Sequence, residues 1–398
     1  MFKRHKNETI ATDIEIKSQD DSMDKSTEKI SALSSHHARL SDELSRAVHD
    51  KYFLITLAVI MAVGLGLLAL LANHKEPSIS SKINVPKAKP APQFYSPLTG
   101  LATTEVNTKR PVTAIMIENT PAPDGRPQSG LKEAGVVYEA IAEGGITRFV
   151  ALYQESRPQL IGPVRSVRPY YVEWASAYDP AVAHVGGSQR ALQMIRSGNY
   201  GVDLDQFFNG GTYWRVDDRA APHNVYTSFD KLDALAQAKG KTSSTFTGFT
   251  RKDEPKLAKI AEARKQGATQ ANTINIDVSS GSFHVEYAYQ ENSNTYKRSH
   301  NGEVHTDREA GEITPKVVIA IKVAMSTEME DGYREQITTT GKGQAYIFQD
   351  GTVTECTWSR ENEKSRLVLT GSDGKEIALN RGQTWITALA HQKGVSWQ

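Results

Sequence analysis

The strongest pattern along the chain is one unbroken apolar run, "YFLITLAVIMAVGLGLLALLA", from Tyr52 to Ala72. It carries no charge, and as a helix it is long enough to cross roughly 30 Å of hydrocarbon. The pattern therefore predicts a single transmembrane helix over 52–72. A cleaved signal peptide places its apolar stretch close to the N-terminus, whereas about 50 residues come first here. Those residues, 1–51, are polar, charged and nearly free of aromatics, and read as a disordered tail. After the run, "HKEPSISSKINVPKAKPAPQ" is rich in Pro, Ser and Lys, so 73–94 reads as an extended tether.

From Tyr95 the pattern changes to short runs. "VTAIMIEN", "GVVYEAIA" and "ITRFVALYQ" read as strands, the last two joined by the hairpin signal "EGG", and "AVAHV" as a short buried strand. "PYYVEWASAY", "SQRALQMIRSG" and "SFDKLDALAQAKG" read as helices; Ser228 or Asp230 caps the last and Gly240 stops it. This mixture predicts a layered α/β domain with a mixed sheet over 95–250. Residues 251–271 are charged and weakly apolar, like a connector. Over 272–398 strands dominate. "SFHVEYAYQ" alternates, with Phe283, Val285, Tyr287 and Tyr289 on one face, and "KVVIAIKVAM" reads as buried. Hairpins are expected at Asp350-Gly351 and near Asp373-Gly374. The fold class is α/β (α+β): a mixed-sheet N-terminal domain and a β-rich C-terminal one, which extends the first sheet or stands apart.

Charge narrows the function classes. The 398 residues carry 47 basic and 46 acidic side chains, a net charge of +1, which argues against a nucleic-acid protein that relies on overall basicity. Cys356 is the single cysteine, which excludes an internal disulfide, a cysteine-based zinc cluster and an N-terminal lipid-modified cysteine. It is expected half-buried in the strand "TVTECTW". Arg39, Arg46 and Lys51 precede the apolar run and Lys75, Lys82, Lys87 and Lys89 follow it, so flanking charge leaves orientation near a tie.

Candidate chemistry gathers at three turns. In "GPVRSVRPYY", Arg168 before Pro169 is expected extended, with Pro169 opening a helix. Arg165 and Arg168 then flank a helix N-terminus, where guanidiniums suit phosphate or carboxylate; the alternative is that each pairs with Glu173 or another structural acid. In "HVGGSQR", His184 ends a strand and Gly186, Gly187 and Ser188 form a turn whose N–H groups can hold an anion, or which is merely tight. "WRVDDRAAPHNVYTS" packs Arg215, Asp217, Asp218, Arg219, His223 and Asn224 into one irregular loop, functional or knitted by its own ion pairs. Arg148 in "EGGITR", with Glu143, and Arg126 and Gln128 in "GRPQSG", are near in sequence. A Ser188, His223, Asp217 or Asp218 triad lacks a nucleophile elbow. His300 and His305 in "HNGEVHTD" lack metal-binding spacing. No metal, no cofactor and no catalytic residue is assigned.

The segments "SPLTGL", "RPVTAIMIEN", "RPQSGLKEAGVVYEAIAEGGITRFVALY", "IGPVRSVRPYY", "HVGGSQRAL" and "APHNVYTS" resemble the YerB-like family of extracytoplasmic bacterial proteins, a domain of unknown function. "YKRSHNGEVHTDREAGE", "GKGQAYIFQDGTVTECTW" and "LNRGQTWI" look like its companion C-terminal domain. The resemblance runs from about Ser96 to the end. It implies a mixed α/β layered fold and, because such proteins are typically lipoproteins on the outer membrane face, a cytoplasmic N-terminus and domains outside the cell membrane. The apolar run in place of a lipid-modified cysteine is a departure from the family. The resemblance supplies no activity.

The expectation is a membrane-anchored extracytoplasmic protein that binds an anionic envelope ligand, a phosphate-bearing glycan or lipid-linked precursor, through Arg148, Arg165, Arg168, His184, the Gly186–Ser188 turn, Arg219, His223 and Asn224. The alternatives are an envelope phosphotransferase or hydrolase, and a scaffold that docks envelope proteins.

Overall fold

The computed structural model describes residues 51–72, 93–279, 281–326 and 334–398. Two compact units divide the chain, Met1–Lys89 and Pro90–Gln398. In the first, the apolar run is helical from Lys51 to Ala72 (α1). Its side chains are described over 54–67 and all are exposed. Among the described residues no helix is long and apolar enough to cross a membrane. The expected tail, except its last residue, and the expected tether, except its last two, lie outside the described residues.

The second unit is built on one sheet of ten strands. In chain order they are β1 (Val112–Glu118), β2 (Val136–Glu143), β3 (Ile146–Tyr153), β4 (Pro180–His184), β5 (Val202–Asp205), β6 (Val317–Val323), β7 (Gly341–Gln349), β8 (Thr352–Arg360), β9 (Val368–Thr370) and β10 (Thr384–Ala390). Their spatial order is β9-β8-β7-β6-β10-β2-β3-β1-β4-β5. The sheet is mixed: β6, β10 and β2 run parallel, as do β1, β4 and β5, while β2, β3 and β1 are antiparallel. The sheet is continuous between the two halves of the chain where β10 pairs with β2, Trp385 opposite Val137. The central strands lie under cover on both faces, which is why "VTAIMIE" and "VVIAIKV" are apolar throughout instead of alternating.

Three of the described helices pack on the sheet in the N-terminal half: α2 (Pro169–Ser176), α3 (Gln189–Arg196) and α4 (Phe229–Ala238). Tyr170, Tyr171 and Trp174 of α2 pack with Met116, Tyr138 and Val150 on one face of the sheet. Phe229 and Leu232 of α4 pack with Ile115, Ile117 and Phe149 on the other. Beyond α4 on that second face, Ile274, Val285, Tyr287 and Tyr296 cover Val318, Ala320, Phe348 and Leu389. They belong to a five-stranded sheet ordered Glu303–Val304, Thr295–His300, Val285–Gln290, Thr273–Ile276, Val395–Trp397. The segment read as a connector holds a helix, Leu257–Lys265, and a short strand, Arg251–Lys252, parallel to Leu379–Asn380. The β7–β8 turn puts Asp350 and Gly351 at φ 59° and 66°, the left-handed pair that a two-residue hairpin demands. Near Asp373-Gly374 the expected hairpin closes through a single bridge, Thr370 to Glu376.

Candidate functional site

Three of the expected arginines gather at the adjacent ends of β1, β2 and β3: Arg148 on β3, and Arg165 and Arg168 on the segment between β3 and α2. Arg168 is extended at φ −124° and ψ 156°, and Pro169 opens α2 behind it. Arg148, on β3, donates from Nη2 to Glu143 Oε1 at 2.7 Å and from Nη1 to the Ser166 carbonyl at 2.9 Å. Arg168 gives Nε and Nη2 to Glu143 Oε2 at 3.1 and 2.6 Å, and Nη1 to the Val167 carbonyl at 2.8 Å. Glu143 thus fills the clamp between two buried guanidiniums. Burial pushes its carboxyl up, yet the two arginines outweigh that and hold it below the usual range.

Arg165 is committed less firmly. Its Nε lies 3.4 Å from Glu118 Oε2, and Nη1 reaches the Pro222 carbonyl at a long 3.3 Å. The same carboxylate takes His223 Nδ1 on Oε1 at 2.7 Å and the Thr120 hydroxyl at 2.6 Å. Arg165 and His223 keep 22% and 21% of their side chains exposed, whereas Arg148 and Arg168 keep 3% and 4%. Arg148, Arg165, Arg168 and His223 are therefore brought together around Glu143 and Glu118.

The remaining expected residues lie elsewhere. His184 is fully buried, with Nε2 2.9 Å from Asp203 Oδ1 and Nδ1 2.9 Å from the Gly186 carbonyl. Gly186 sits at φ +58°, and its N–H donates to Asp205 Oδ1 at 3.0 Å, as does Phe207 N–H at 3.2 Å. The nest at this turn thus holds the protein's own Asp205. A Cβ on Gly187 would come within 2.6 Å of Val167, so that glycine allows two segments to pack. Ser188 caps α3 through its backbone, and its buried hydroxyl has no hydrogen-bond partner. Arg219 ties down the carbonyls of Asp124, Gly125 and Pro127. Asn224 accepts from Arg215 and donates to Val216. Asp218 pairs with Arg308, and no hydrogen bond among the described residues links Ser188, His223 and Asp218.

A second polar cluster is buried between the central sheet and the five-stranded one. Glu139 on β2 and Arg298, both fully buried, meet at 2.7 Å. Thr147 and Asn119 also reach Glu139. Arg298 spends Nε on His305 Nδ1 at 3.1 Å and Nη1 on the Tyr287 hydroxyl at 3.2 Å, and its guanidinium carbon lies 4.6 Å from the Trp385 ring centre. Since His305 Nδ1 accepts, its Nε2 carries the proton and donates to Gln128 Oε1 at 2.8 Å. His300 approaches Arg298 Nη2 with Nε2 at 3.3 Å. Burial and the Arg298 charge push both histidines well below the usual range, so both rings are neutral. Sequence reasoning missed this cluster, though a signal existed: in "TYKRSH" the period-2 alternation puts Arg298 and His300 on the inward face of Tyr296.

Residues 98–243 match a family model described as "Protein of unknown function (DUF3048) N-terminal domain", and 274–386 match its C-terminal domain. The chain belongs to the DUF3048 family. It is 35% identical over 300 residues to a Bacillus subtilis (strain 168) protein named "Putative lipoprotein YerB", covering 74% of this chain and 86% of that one. It is also similar to the crystal structure of YerB protein from Bacillus subtilis, at 31% identity and a TM-score of 0.66, covering 76% of this chain and 99% of that one. On the DUF3048 frame, Arg148, Arg165, Arg168 and Glu143 all fall inside the N-terminal domain. The Glu139–Arg298 pair joins the N-terminal domain to the C-terminal one.

Proposed function

We propose that this chain is a membrane-anchored extracytoplasmic binding protein, with Pro90–Gln398 outside the cell membrane, and that it engages a phosphate-bearing envelope glycan or lipid-linked ligand at Arg165. Support for the anchor comes from α1: it is apolar around its circumference, and Leu54, Ile60, Val63 and Leu65 are half or more exposed, a surface that calls for hydrocarbon. On this reading the apolar run Tyr52–Ala72 does the anchoring that the relative's name assigns to a lipid.

One observation carries the ligand reading. Three guanidiniums face two carboxylates at the strand ends, leaving one positive charge over, and Arg165 is the loosely held, part-exposed one. An external phosphate there competes with a 3.4 Å contact to a carboxylate already shared with His223 and with a long bond to the Pro222 carbonyl. The enzyme reading has less support: an acid catalyst needs a raised carboxyl, and Glu143 is held low. So has the scaffold reading, whose docking patch was expected on the β-rich half. The most exposed aromatics, Phe207 and Phe208, follow β5.

Two experiments test the proposal. A C-terminal alkaline phosphatase fusion should be active in cells; an inactive, full-length fusion removes the orientation. Full-length protein in detergent micelles, titrated with glycerol 3-phosphate, should saturate, and Arg165→Gln should weaken binding roughly tenfold, the loss of one charge-assisted contact. Equal affinity in the variant discards the Arg165 site.

A further inference from the structure

A cavity of about 420 Å³ opens where the Pro121–Pro127 turn faces the His300–Thr306 hairpin, a size within the range of small-ligand pockets. Arg126, Ser282, His300, Asn301 and Glu303 are among its walls. His300 is 3% exposed and lines this cavity with one nitrogen spoken for. Because Nε2 faces a guanidinium N–H, it serves as acceptor, so in the neutral ring the proton sits on Nδ1. Among the described residues Nδ1, itself buried, has no hydrogen-bond partner. A buried, unpaired N–H is destabilising unless something accepts from it.

The second donor is Arg126. It gives Nε to Asn119 Oδ1 at 2.9 Å and Nη2 to the Ser282 carbonyl at 3.1 Å, both neutral acceptors, and among the described residues no carboxylate forms an ion pair with it. Arg298 lies close enough to add its charge, and its own carboxylate, Glu139, balances only one of the two guanidiniums. Burial first and then the Arg298 charge draw Arg126 down to about 10, against the opposing pull of Glu139 and of Glu303, which lines the same cavity.

We propose that this cavity is a binding site for a small oxyanion, a phosphate or carboxylate group, which accepts from His300 Nδ1–H and from Arg126. The site is separate from the Arg165 reading, draws residues from both DUF3048 domains, and holds whether or not that reading fails. A carboxylate from a peptide terminus or acidic sugar and a free or esterified phosphate share this chemistry, and the probes separate them.

The full-length protein in detergent micelles is titrated with inorganic phosphate and, separately, with acetate. The ¹⁵N resonance of His300 Nδ1 is followed alongside calorimetry. At least one probe should saturate and shift that resonance. Phosphate alone marks a phosphate site, and acetate alone marks a carboxylate site. Arg126→Gln and His300→Asn should each weaken the binding that the His300 resonance reports at least tenfold. If neither probe moves the His300 resonance of the wild type, the proposal is overturned, whatever the variants do. Binding that survives unchanged in folded Arg126→Gln overturns it too.

Discussion

Glu139 and Glu143 lie four residues apart on β2, yet they serve opposite faces of the sheet. Strict alternation puts both on one face. The register of β2 against β3 slips between Ile141 and Glu143, and that bulge turns Glu143 toward Arg148, which stands opposite Ala140. Glu139 takes its arginine from 159 residues away in sequence, through two packed sheets. Glu143 takes its two from 5 and 25 residues away, within one turn system. The first carboxylate joins the two family domains; the second locks a local turn. The local one advertises itself in the sequence as an arginine-rich motif, while the one that joins the domains leaves only an alternation pattern.

Removing the long-range partner should have the largest effect. Arg298→Met takes from the buried Glu139 carboxyl its one charged hydrogen-bond donor among the described residues, and breaking a buried ion pair by removing one partner costs about 3–5 kcal/mol. Urea denaturation followed by tryptophan fluorescence measures this, since Trp385 lies against the guanidinium. A loss under about 1 kcal/mol means that the pair is not what holds the two domains to each other. Glu143→Gln should cost less, about 1–3 kcal/mol. Arg148 and Arg168 keep the Ser166 and Val167 carbonyls, the new amide oxygen can still accept from one of them, and Glu143 keeps 14% of its side chain exposed where Glu139 keeps none. A cost equal to that of Arg298→Met erases the distinction between the two carboxylates.

Much of this was legible beforehand. The strand runs of the central sheet stood out because strands covered on both faces need apolar residues at every position. Arg168 and Pro169 were readable because a proline dictates both its own φ and its neighbour's region. The β-rich half does continue the first sheet, through β10 and β2. What stayed hidden was which acid meets which base. The anion held by the Gly186 turn is Asp205, and the anion in the Arg148–Arg168 clamp is Glu143. Residue types predict a donor set, but only the folded chain shows that an internal carboxylate already occupies it.

Acid should separate the two clusters by pH. His300 and His305 are neutral when folded because burial and Arg298 lower their affinity for protons. Unfolded, each takes up a proton below about 6.5, so their stabilising effect is complete above that pH and is lost as pH falls beneath it. Each contributes up to about 1.4 kcal/mol per pH unit. His305→Gln should flatten the loss between about pH 6.5 and 5.5 by roughly 1 kcal/mol. Glu143, held low by its arginines, acts in a later window: its contribution is present above about 4.5 and disappears as pH drops below that. Denaturant midpoints measured across pH read both. An unchanged slope in His305→Gln means that its ring is protonated in the folded protein.

The smallest stability effect is expected at Arg165. If it were a third structural arginine, Arg165→Gln would leave Glu118 buried with only His223 and Thr120 to hold it, and the cost would approach that of Glu143→Gln. The long contacts and part exposure of the guanidinium argue otherwise. Gln retains a donor near Glu118, and the expected change is within about 0.5 kcal/mol. The same variant should lose glycerol 3-phosphate affinity. A stable protein that no longer binds makes Arg165 the functional member of a cluster whose other arginines are structural. A strongly destabilised one places it with Arg148 and Arg168 and leaves the strand ends without a free cation.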